Sequence, residues 1–187
     1  MSSTVKAQDV LVALKLLTIG DEPWSFTRLA GALGLSVGAT HNAVTHLRAA
    51  KLIYERRGQA TLAKQRLLDF LVHGVPAVFY AVRGGIGRGM PTGPSAPMLA
   101  DVGLVAATPD AVPMVWPVPT GKIKGETLAP IYETAPGAAA KDGKLYEFLA
   151  LVDVVRTGGP RQRKLAAELL EARVMASPAE QADEGAA

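Results

Sequence analysis

Cysteine is absent from the 187 residues, long apolar runs are missing, and aromatic side chains make up only 5% of the chain. Without cysteine there is no disulfide framework, no thiolate zinc site and no cysteine nucleophile. No stretch approaches the ~20 uninterrupted apolar residues of a membrane span, and the opening Met1-Ser-Ser-Thr-Val-Lys6 has no apolar signal segment. The chain therefore reads as cytoplasmic, with no membrane partner. With so few aromatics, the core must be built from Leu, Val and Ala. Histidine is scarce too: His41, His46 and His73 all precede Gly74. His41 and His46 are five apart, not the i, i+4 spacing of a helical metal pair, and no metal is expected. Glu126, Glu133, Asp142 and Glu147 form no paired-carboxylate motif, and no serine sits in a G-x-S-x-G elbow. The reading is a non-enzyme that needs no cofactor.

Hydrophobic residues make up 49% of the chain and charged ones 20%, the balance of a globular protein. The charges divide unevenly. Residues 1–89 carry eleven Lys and Arg against five Asp and Glu, a balance of +6; residues 90–187 carry nine against twelve, a balance of −3. A basic first half and an acidic second half suit a nucleic-acid-binding module joined to one with another task.

Val10, Leu11, Leu14 and Leu17 follow the i, i+3, i+4, i+7 spacing of a helix face over Ala7 to Leu17. Ser25 caps a second helix with Phe26, Leu29, Ala30 and Leu33 inward, and Gly34 ends it. Ser36 caps a third helix reaching about Ala50, with Val37, Thr40, Val44 and Leu47 inward. Leu52-Ile-Tyr-Glu55 alternates like a strand, and Arg56-Arg-Gly-Gln59 reads as a charged turn.

Phe26-Thr-Arg-Leu-Ala-Gly-Ala-Leu-Gly-Leu-Ser36, Thr40-His-Asn-Ala-Val-Thr-His-Leu47 and Leu52-Ile53 together resemble bacterial winged helix-turn-helix regulators of the MarR, ArsR and IclR groups. The resemblance covers about the first third of the chain. Lys51 departs from it, standing where these families often place glycine. The resemblance implies a third helix in the major groove, presenting Ser36, Gly38, Ala39, His41, Asn42 and Thr45 to base edges, with His46 beside them serving the backbone. Arg28, Arg48 and Lys51 would contact phosphates, and Arg56, Arg57 and Gln59 would form the wing tip. It also implies a homodimer on double-stranded DNA, acting as a transcriptional regulator.

Further along, Thr61 to Val72 reads as a helix and Val75 to Val82 as a strand. Arg83 to Pro97 is so rich in glycine and proline that it reads as an irregular connector. Its Gly85-Ile-Gly-Arg-Gly89 has the wrong spacing for G-x-G-x-x-G, and no Walker sequence is present. Val112–Val118 and Lys122–Leu128 read as a hairpin around Pro119-Thr-Gly121. Two C-terminal helices follow, one from about Asp142 with Leu145, Phe148, Leu149 and Val152 inward, the other opened by Pro160.

The expected architecture is α+β: a winged helix-turn-helix over 1–74, a small mixed domain with a short sheet and two helices over 75–175, and a disordered tail over 176–187. Two other readings fit the same residues. One is an antitoxin-like or phage-defence regulator whose C-terminal half binds a partner protein; the other is a protein-interaction module that binds no DNA.

Overall fold

The computed structural model describes residues 4–56, 59–104 and 111–176, with the side chain of Gln59 outside the description. The architecture is α+β. Helix α1 (Ala7–Ile19) opens with the Asp9 carboxylate accepting the Lys6 N–H at 2.8 Å. Ser25 Oγ accepts the Arg28 N–H and starts α2 (Phe26–Leu33), which ends on Gly34 in the left-handed conformation. Ser36 Oγ accepts the Ala39 N–H and starts α3 (Val37–Ala49). At its far end Lys51 N–H reaches Arg48 O and Leu52 N–H reaches Leu47 O, a Schellman closure with Lys51 at φ 57°. The inward face of α3 is Thr40, Ala43, Val44 and Leu47; Val37, expected inside, is 48% exposed. It stands at the first turn, beyond the cover of α1 and α2.

Strands β1 (Ile53–Arg56) and β2 (Gln59–Leu62) pair antiparallel, from Ile53 opposite Leu62 to Arg56 opposite Gln59. The helix expected from Thr61 therefore begins later, because Thr61 and Leu62 are held in the hairpin. Helix α4 (Lys64–Asp69) runs through a π turn (Phe70–Gly74) into α5 (Val75–Val78). This corrects the strand expected over Val75 to Val82. Pro76 has no N–H for the Val72 carbonyl, and its ring would press on that carbonyl in a regular helix. The π turn relieves the clash by letting Val75 N–H reach back to Phe70 O.

The glycine-rich stretch is also regular structure: β3 spans Arg83–Pro91, followed by a 3-10 turn (Gly93–Ser95) and α6 (Pro97–Ala100). Strands β4 (Met114–Pro117) and β5 (Ile123–Leu128) complete a closed three-stranded barrel. Both run antiparallel to β3, so they are parallel to each other, with Met114 opposite Glu126 and Val115 opposite Thr127. The expected hairpin is thus replaced by a crossover. Gly89 pairs with Pro117 on one side and Ile123 on the other, and the connecting chain passes directly over it. A Cβ on Gly121 would lie 2.3 Å from Gly89 Cα, and one on Gly89 would lie 1.9 Å from the Trp116 carbonyl oxygen. Glycine is required because backbones meet there.

Helix α7 (Ala135–Ala139) is followed by α8 (Gly143–Thr157), capped by Asp142, and α9 (Pro160–Met175). The buried set of α8 is wider than the expected stripe: Phe148 through Val155 is covered all round. Helices α1, α7 and α9 pack on it, and so does the turn after β3. Most of the buried apolar residues, from Val10 to Val174, form one cluster. Residues from Ser177 onward, where the tail was expected, lie outside the described residues.

Candidate nucleic-acid interface

The outward side of α3 carries Ser36, Gly38, His41, Asn42, Thr45 and Arg48, all exposed, with Ala39 half-buried beside them. Helical spacing puts Gly38, His41, Asn42 and Thr45 on one face. The His41 ring packs at 5.2 Å on Phe26, which meets Trp24 edge-on at 5.3 Å. That aromatic stack orients the imidazole. The Thr45 hydroxyl donates to His41 O at 3.0 Å, which leaves its methyl group and lone pairs facing outward. The Asn42 carboxamide has no partner among the described residues, so its donor and acceptor are both available.

His46 departs from this face. Its Nδ1 lies 2.9 Å from Asp9 Oδ2, and the Asp9 side chain is fully buried. The other carboxylate oxygen, Oδ1, has no partner among the described residues. His46 therefore ties α3 to α1 through its Nδ1. Sequence reasoning missed Asp9.

Three of the expected phosphate-binding cations lie outside the core. Arg28 and Lys51 are exposed without an ion pair among the described residues. Arg48 Nη2 sits 3.1 Å from Glu55 Oε1, both well exposed, so a phosphate would compete with a weak surface pair. Arg56 is exposed on β1 opposite Gln59. Arg57 and the Gln59 side chain lie outside the described residues.

Elsewhere the buried polar groups act as fasteners. Asp153 is 1% exposed; its Oδ2 accepts from Thr92 Oγ1 and Trp116 Nε1, both at 2.7 Å, and its Oδ1 accepts from Arg156 Nη1 at 2.6 Å. Burial pushes the Asp153 carboxyl above its ordinary value, opposed by Arg156 and the two neutral donors. Arg156 in turn donates to Phe79 O and Tyr80 O. The cluster joins the barrel, the end of α5 and α8. Tyr146 donates to Pro91 O, and burial raises its hydroxyl to about 12. For Asp142, burial opposes charge, yet the Lys15 ammonium at 2.6 Å, the Leu145 N–H and Thr18 hold the carboxyl below its ordinary value.

Among the described residues no three His, Asp or Glu side chains converge as metal ligands, and no helix is long and apolar enough to cross a membrane. No protein-family model, curated protein or solved structure matches the chain.

Proposed function

We propose that the first third of this chain is a winged helix-turn-helix that binds double-stranded DNA, and that the protein is a transcriptional regulator acting as a homodimer. The observation that carries the reading is the outward face of α3. It is a short, Ser-capped helix with His41, Asn42 and Thr45 exposed together, followed at once by the β1–β2 hairpin in the place of a wing. Asn42 suits paired hydrogen bonds to an adenine edge, and Thr45 adds a methyl contact for thymine. Arg28, Lys51 and the hairpin cations would fix the register on the phosphates.

The test is selection of bound duplexes from a random pool. The expected result is an enriched sequence whose preference at one adenine weakens by ~1–3 kcal/mol in Asn42→Ala. A pool that never enriches removes the reading. A protein partner remains the second reading, favoured by Val78, Tyr80 and Val82, each more than half exposed on one short stretch after the π turn. Co-purification of a stoichiometric protein whose binding is abolished in Tyr80→Ser supports it.

A further inference from the structure

The cations of β3 and β5 are set against the usual rule for sheets. The antiparallel register puts Arg88 directly opposite Lys124, and both are exposed. Directly opposed residues share one face with Cβ atoms roughly 4.5–5.5 Å apart, and like charges there repel. The carboxylate at the diagonal position, Glu126, is taken by Arg83 at 2.9 Å, and Arg83 also donates to Thr157 O. Neither Arg88 nor Lys124 has an ion pair among the described residues. Exposed Lys122 stands at the same end of the barrel, just before β5 begins.

The pair cannot separate by slipping register. All three strands are paired in a closed barrel, and the chain crossing over Gly89 fixes the residue next to Arg88. Two cations held at opposed positions on an exposed face can share one anion lying between them. We propose that this face binds the phosphodiester backbone of duplex DNA, with Arg88, Lys122 and Lys124 contacting phosphates. The proposal rests on the DNA-binding reading of α3 and provides what α3 lacks, since that helix offers base-reading groups but no Lys or Arg before Arg48.

The experiment titrates the full chain against a fluorescein-labelled duplex by anisotropy across a salt series, with thermal melts in parallel. In Arg88→Ser/Lys124→Ser the slope of log affinity against log salt should shrink by about two, at ~0.9 for each phosphate that is no longer neutralised. The melting temperature should hold, because both side chains are exposed and outside the core. Arg88→Lys/Lys124→Arg should keep the wild-type slope. An unchanged slope in the serine variant overturns the proposal, even if an acidic protein competes for this face. So does a weakening of binding that only follows a fall in melting temperature. Asn42→Ala in the same assay, on selected and scrambled duplexes, separates the two ideas. If it leaves the base preference intact, the α3 reading fails while the salt slope still decides the barrel. A wild-type chain that binds no duplex removes both.

Discussion

Lys51 occupies the left-handed region at φ 57°, where a Cβ costs roughly 1–2 kcal/mol. The Schellman bonds at the end of α3 hold it there. Lys51→Gly should therefore stabilise the fold by about 1 kcal/mol in urea unfolding, part of the relief being offset by the freer unfolded chain. The same change should weaken DNA binding by removing one cation. His46 works the other way. His46→Ala leaves the buried Asp9 carboxylate with the Lys6 N–H alone and should cost about 1–3 kcal/mol, read by the same unfolding curve. Tyr146 gives a pH test. Its hydroxyl is raised to about 12 against about 10 in an unfolded chain, so its contribution is complete below pH 10 and is lost as pH rises towards 12. Tyr146→Phe should flatten the stability profile in that window.

At the scale of elements, the barrel depends on positions where no side chain fits. Gly89→Ala would drive a Cβ into the Trp116 backbone oxygen, and neither backbone can move without breaking a strand pair. The expected outcome is an unfolded or aggregated protein, seen as loss of near-ultraviolet circular dichroism from Trp116. This barrel was also the least legible part of the sequence. Propensity reads the run from Arg83 to Pro97 as irregular, since glycine is poor in strands, yet glycine is what lets three strands close so tightly. Likewise, the β-rich run from Val75 carries no local mark of the π turn, which arises from a hydrogen bond that Pro76 cannot make. The helices were legible because their information is local. Ser25, Ser36 and Asp142 cap them, Gly34 ends one, and apolar residues repeat at helical spacing. Of the candidate interface, the exposed face of α3 could be read from that spacing, whereas the turn of His46 towards Asp9 could not, because it depends on a partner 37 residues away.

For the whole molecule, the shared core joins the two parts that the charge distribution separates. Helix α1 packs on α8, and Lys15 binds Asp142, which also caps α8 through the Leu145 N–H. A single cooperative unfolding transition is expected, with coincident far- and near-ultraviolet signals, and a first transition confined to the N-terminal helices would contradict it. Asp142→Asn keeps a good cap but removes the ion pair. Because the Asp142 carboxyl is held below its ordinary value, its contribution is present above about pH 4 and fades as pH falls through the lowered value. The stability gap between wild type and Asp142→Asn should close over that acidic range.

The crossing at Gly89 also imposes an order on assembly. Arg83 and Glu126, 43 residues apart, meet only when β5 pairs with β3. As the chain leaves the ribosome, β3 must wait with one side open until β5 has emerged. Closure of the barrel depends on this long-range pairing and is therefore expected to lag behind the locally encoded helices at the N-terminus.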